Sequence, residues 1–141
     1  MVRINLIDPS NLADQHLIAE YNEILMLFGY VRKYPEAVGI PSSYCLGPGH
    51  IRFFQDKLLY LKKRHELIKK EMKLRGFRTE KTIKLSEFPR SLCNDWEPQE
   101  KDKQKIRGRL IEKLSKKPDY YSYHGEKKGK VFFLNLIRMS K

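Results

Sequence analysis

The chain has 141 residues, 40% of them hydrophobic, and carries 29 Lys and Arg against 17 Asp and Glu, a net charge of +12. That length and apolar content suit one folded domain with a real core, and no apolar run reaches the ~20 residues needed to span a bilayer. The charge is lopsided: residues 1–50 hold three basic and five acidic groups, residues 51–141 hold 26 and 12. This predicts a polyanionic partner for the second half, with simple solubility or an RNA contact as the alternatives.

No basic segment precedes an apolar block at the N-terminus, so a cytoplasmic protein without a signal peptide is expected. Cys45 and Cys93 lack Cys-x-x-Cys spacing and are read as buried, reduced thiols.

In chain order, the first element is the segment Val2-Arg3-Ile4-Asn5-Leu6. A small residue follows Met1, so removal of the initiator would expose the α-amine of Val2. An α-amine titrates near pH 7.7–8.0 and is roughly a tenth to a fifth neutral at pH 7, against about 0.04% for lysine. Asp8-Pro9 then reads as an N-cap with proline at the first helical position. From there Leu17, Tyr21, Ile24, Phe28 and Val31 form one apolar face of a helix ending near Arg32-Lys33, ahead of Pro35. Away from that seam lie two polar stripes, Gln15, Ala19, Asn22 and Met26 in one, His16, Glu20 and Glu23 in the next.

Gly39, Pro41 and Ser42-Ser43 mark a loop. Pro48-Gly49 is expected to open a second helix with Ile51, Phe54, Leu58, Leu61, Ile68 and Met72 on one side, stopping at Gly76. Residues 77–97 read as loop with room for a helical turn. Pro98 starts a third helix through Ile106, Leu110 and Leu114, closed by Pro118. The run Val131 to Ile137 is apolar on both faces and rich in β-formers, so a short strand or an extended segment is expected there. Three helices joined by long loops predict an all-α single domain. His16, His50, His65 and His124 lack the spacing of a metal site, and there is no glycine-rich phosphate loop; a chemistry without metal or cofactor is expected.

The N-terminal block Val2-Arg3-Ile4-Asn5-Leu6 with Leu12-Ala13-Asp14-Gln15-His16-Leu17 and Glu20 to Glu23 resembles the start of the pyrimidine-dimer DNA glycosylase/AP lyase family, phage-type endonuclease V. Leu46-Gly47-Pro48-Gly49-His50, Phe53-Phe54-Gln55-Asp56-Lys57-Leu58, Leu74-Arg75-Gly76-Phe77 and Lys117 to Gly125 match in compatible order. The resemblance covers residues 1–126, a glycosylase domain; residues 127–141 form a C-terminal extension expected to pack on the same domain.

The resemblance implies a compact three-helix globule with the N-terminal segment threaded between helices. It also implies a monomeric enzyme acting on damaged double-stranded DNA. By resemblance, the Val2 amine is the nucleophile and Glu23 the acid/base residue; read from its helix alone, Glu23 is a solvated carboxylate. Arg3, Arg109 and Lys113 are implied as DNA contacts, and Tyr120, Tyr121 and Tyr123 as residues of lesion recognition, with core packing as the alternative for the tyrosines. Gln15, on its polar stripe, is a further DNA-contact candidate. Arg64, with Lys62, Lys63, Lys116 and Lys117, reads from its charge as a phosphate contact, a solvated face charge being the alternative. Asn22 and Met26 occupy positions where the phage enzyme has arginines on the lesion strand, and Val2 stands where the family usually has threonine. Two alternatives stay open: a relative with altered lesion choice or lyase action on abasic sites only, and a non-catalytic nucleic-acid-binding module on the same scaffold.

Overall fold

The computed structural model describes residues 3–141. Among them are five helices: α1 (Asp14–Lys33), α2 (His50–Phe54), α3 (Leu58–Leu74), α4 (Glu100–Lys116) and α5 (Lys130–Arg138), with a two-stranded hairpin, β1 (Ser122–Tyr123) and β2 (Glu126–Lys127). The fold is all-α, as the sequence predicts.

α1 buries Leu17, Tyr21, Ile24, Leu27, Phe28 and Val31 against α3, while Asp14 opens its first turn and Arg32 and Lys33 close its last, each suited to the helix dipole. Asp8 and Pro9 do not begin this helix. They nucleate a separate turn, Pro9–Asn11, in which the Asp8 carboxylate accepts from Ser10 N at 2.9 Å.

The expected second helix is two. Lys57 takes a non-helical backbone (φ −124°, ψ 41°) and pairs with Cys93 in an isolated antiparallel bridge, while Asn94 Nδ2 donates to the Asp56 carbonyl at 2.8 Å. A strand-like segment from far along the chain thus takes the backbone groups that a continuous helix would use. α3 ends as predicted at Gly76 (φ +85°): Phe77 N donates to Met72 O at 2.8 Å and Gly76 N to Lys73 O at 3.0 Å, the paired bonds of a Schellman cap. α4 starts in a capping box between Gln99 and Asp102 and buries Ile106, Leu110 and Leu114.

Residues 130–138 are helical, not extended. Phe133 and Ile137, four apart, are buried, and α5 packs along α4. Arg107 of α4 donates to Ser140 Oγ (2.9 Å) and Ser140 O (2.9 Å), and Asn11 Nδ2 donates to Leu136 O at 2.7 Å. β-propensity was outweighed because the apolar positions supply an α-helical seam for a face that α4 leaves open.

The hairpin turns through His124 (φ 52°) and Gly125 (φ 82°), two successive left-handed residues as a type I′ turn requires. Asp14 makes that affordable for histidine. Its carboxylate accepts from His124 N (3.0 Å), Gly125 N (2.9 Å), Ser122 Oγ (2.8 Å) and Arg75 Nη1 (3.0 Å). Burial opposes the charge on Asp14, but these donors outweigh it and hold the carboxyl below its usual 3.8. Cys45 and Cys93 are half-buried free thiols, not fully buried as expected. No described helix is long and apolar enough to cross a membrane.

Candidate active site

Residues 3–7 run between α1, α2 and α3, and their backbone is fixed by side chains from all three neighbourhoods. Ile4 N donates to His50 Nε2 at 3.0 Å, which leaves Nδ1 as the protonated nitrogen donating to Cys45 O at 2.8 Å. Tyr44 OH donates to Ile4 O at 2.9 Å. Asn5 Nδ2 donates to Glu20 Oε1 at 2.9 Å, and Arg64 bridges Glu20 to the Ile7 carbonyl. Leu6 adopts φ 60° with Ile7 N bonded to Asn5 O at 2.6 Å, a three-residue reversal that sends the Asn5 and Leu6 side chains to different surfaces.

Beside this segment lies a cleft of about 230 Å³ lined by Arg3, Asn5, Gln15, His16, Ala19, Arg109, Lys113, Tyr120 and Tyr121. Six of the residues singled out from sequence meet here: Arg3, Gln15, Arg109, Lys113, Tyr120 and Tyr121. Asn5, His16 and Ala19 were not among them. Asn5 and Ala19 carried no charge or ring to draw notice; His16 lies one step from Gln15 on α1, and both are half-buried.

The cleft is cationic. Arg3 Nε donates to Leu46 O at 2.7 Å, which orients the guanidinium at the rim. Burial and the like charge of Arg3 both pull the Arg109 guanidinium below its ordinary value. His16 sits against Tyr121 (ring centroids 4.8 Å apart), and burial, together with Arg109 and Lys113, lowers its pKa to about 4. At neutral pH it is an uncharged ring, and its Nδ1 is a buried atom with no hydrogen-bond partner among the described residues. Gln15 is held in place from both ends: Nε2 donates to Ser122 Oγ (3.1 Å) and Oε1 accepts from Ser122 N (3.0 Å).

Glu23 lies on α1 one turn beyond Ala19 and is half-buried. Burial raises its carboxyl above the usual 4.5, and Arg3 pulls it part of the way back. A carboxyl group in that environment can exchange a proton closer to neutrality than a solvated glutamate. Val2 lies outside the described residues; the chain reaches Arg3, whose charge Glu23 feels, one residue after it.

The remaining sequence candidates go elsewhere. Asn22 and Met26 are exposed on α1, Met26 to 67%. Arg64 is a correction to the reading as a DNA contact. It is buried, with Nε and Nη2 on the Glu20 carboxylate at 2.7 and 3.1 Å, so its charge is consumed inside the fold. Tyr123 points away from the cleft lining: its hydroxyl donates to Ser10 O at 2.8 Å and its ring lies under the Arg75 guanidinium, 4.5 Å away. A larger groove of about 610 Å³, lined by Leu6, Leu67, Lys70, Lys73, Leu74 and Lys103 among others, shares no residue with the cationic cleft. Asp8 and Glu71 also line it, and no aromatic residue does.

Fold and cleft together define a small helical protein that presents a cationic, aromatic-walled cleft at the start of its longest helix. Residues 1–85, more than half of the chain, match the family described as pyrimidine dimer DNA glycosylase, and the chain belongs to that family of DNA repair glycosylases.

Proposed function

We propose that this protein excises ultraviolet-induced pyrimidine dimers from duplex DNA by combined glycosylase and AP lyase action, with the Val2 α-amine as nucleophile. The observation that carries the reading is the half-buried Glu23, its pKa raised by desolvation, next to a cleft lined by Arg3, Arg109 and Lys113. After loss of Met1, the neutral amine attacks C1′ of the 5′ nucleotide of the dimer. The N–C1′ bond forms as the glycosidic bond breaks, and its electron pair departs with the pyrimidine, which takes up a proton. Sugar ring opening gives an imine. Glu23 stabilises the cationic sugar and accepts a proton from C2′, and loss of the 3′ phosphate by β-elimination nicks the strand. Water then releases the protein from the imine.

Arg3, Gln15, Arg109 and Lys113 hold the DNA around the reacting sugar, and Tyr120 and Tyr121 supply ring faces to bases. Residues 1–126 and the extension 127–141 act as one unit, as a monomer. Borohydride added to Met1-free protein and irradiated duplex is expected to trap a covalent protein–DNA adduct, and Glu23→Gln to abolish nicking. Absence of an adduct with both irradiated and abasic duplex would remove the imine route.

A second reading rests on Asn22 and Met26. With no cation at either position on the exposed face of α1, the protein would favour abasic DNA over dimers. Nicking rates on the two duplexes, compared at equal salt, separate these readings.

A further inference from the structure

The C-terminal extension adds a charge to the cleft rim that the first 126 residues do not contain. Tyr120, half exposed at 50%, lines the cleft. Lys117, just after α4, places its ammonium 5.1 Å from the Tyr120 ring centroid, and Lys127 of β2 places its own 5.4 Å from the same centroid. Lys127 Nζ also donates to Tyr120 O at 2.6 Å. Two like charges are thus gathered around one ring. Among the described residues neither has a carboxylate within ion-pair distance, and neighbouring Glu126 is engaged by Lys128 at 3.3 Å.

The backbone that carries Lys127 is anchored on both sides. β2 is held by β1, and the hairpin turn is tied to Asp14 at the start of α1. α5, directly after it, is locked to α4. Two cations gathered at one ring, neither with a carboxylate within ion-pair distance among the described residues, are suited to an anion from outside.

Building on the DNA-acting function proposed above, we infer that Lys117 and Lys127 form a clip for a backbone phosphodiester of the DNA flanking the lesion. The clip lengthens the footprint beyond the cleft, with Tyr120 as the wall between clip and cleft. Lys127 orients itself through the Tyr120 carbonyl and directs its remaining N–H groups to the phosphate; Lys117 supplies the second positive charge. The clip positions the duplex and takes no part in proton transfer.

The test is the salt dependence of binding to a fluorescent 30-base-pair duplex and to one shortened to 12 base pairs around the same abasic analogue. Wild-type protein should bind the longer duplex more tightly and with the steeper slope. The double variant Lys117→Gln/Lys127→Gln should lose about one from the slope of log K against log salt on the longer duplex, at roughly 0.9 per lost phosphate contact. The shorter duplex should change little, and Lys→Arg at both positions should restore the slope. Single-turnover nicking at saturating protein should be unchanged, which a damaged cleft would not allow.

An unaltered slope, or an equal loss on both duplexes, overturns the clip. If the glutamine variant does not fold, amine acetylation of wild-type protein with and without the longer duplex decides the matter. DNA should protect Lys117 and Lys127 but not Lys70 or Lys73, and equal labelling of all four overturns the clip. Failure of borohydride trapping would remove the imine route alone, since binding to the two duplexes still reports the clip.

Discussion

Arg64 grips Glu20 through two hydrogen bonds, of 2.7 and 3.1 Å, with both side chains almost wholly removed from water. The same carboxylate holds Asn5, and the same guanidinium holds Ile7, so one ion pair joining α1 to α3 also fixes the path of the N-terminal segment. A buried pair is costly to break from one side, because the survivor keeps its charge without its partner. Glu20→Leu should therefore cost about 3–5 kcal/mol in urea unfolding. Nicking by the variant should fall even under conditions where it is fully folded, because Asn5 lines the cleft and loses its anchor.

Glu23 should set the acid limb of the pH–rate profile. Desolvation raises its carboxyl above the ordinary value, and Arg3 opposes that rise. A base with a raised pKa loses activity as the pH falls through that value, so the limb should lie above pH 4.5. Arg3→Gln removes the opposing charge and should shift the limb further upward, apart from any loss of DNA affinity. A profile of single-turnover rates for the two proteins tests the sign; a limb that moves down contradicts it.

Two buried histidines and a half-buried one should make the fold sensitive to mild acid. Burial is the first cause in each: His16 is further lowered by Arg109 and Lys113, His50 by Arg3 and Arg109, and His65 by Lys69, each to about 4. The unfolded chain protonates these rings near 6.5, so between pH 6.5 and 4 it binds more protons than the folded one. Stability is complete above that window and falls as the pH descends through it. Unfolding midpoints in urea at pH 7, 6 and 5 should decline steadily. His65 stacks on Tyr21 (4.7 Å, 15°), and both its ring nitrogens lack partners among the described residues. His65→Phe should therefore be at least as stable as wild type at pH 7 and gain relative to it at pH 5.

Charge added to α1 should strengthen the grip on DNA. Asn22 and Met26 are exposed on the helix that carries Glu23. Asn22→Arg/Met26→Arg should steepen the salt dependence of binding by up to about two, again at roughly 0.9 per phosphate engaged. Anisotropy titrations between 50 and 250 mM salt measure this, and an unchanged slope would mean that DNA does not pass along this face.

Much of the fold was legible because the long helices carry their own periodicity. Leu17, Tyr21, Ile24, Phe28 and Val31 mark α1, Gly76 marks the end of α3, and Pro98 and Pro118 bracket α4. What escaped depends on distant partners. The break at Lys57 requires Cys93 and Asn94 to arrive beside it, and the helical state of residues 130–138 requires the open side of α4. The hairpin uses His124 at a position where asparagine or glycine would have announced the turn.

At the site, the cationic lining was readable from residue type, whereas the partnership of Glu20 with Arg64 depends on two helices meeting. A signal was present: Arg64 and His65 fall between Leu61 and Ile68 on the apolar face of their helix, where a charge must find a buried mate.

The carboxylate at the first residue of α1 is satisfied by groups more than a hundred positions downstream, at Ser122, His124 and Gly125. On a ribosome, the helix that bears Glu23 emerges early, yet this anchorage must wait until about a hundred further residues have followed. Seating of the first turn of α1 is thereby deferred until the hairpin has followed α4. A nascent chain halted before residue 122 would have Asp14 and Glu23 in its sequence but not the donors that hold the first turn of their helix.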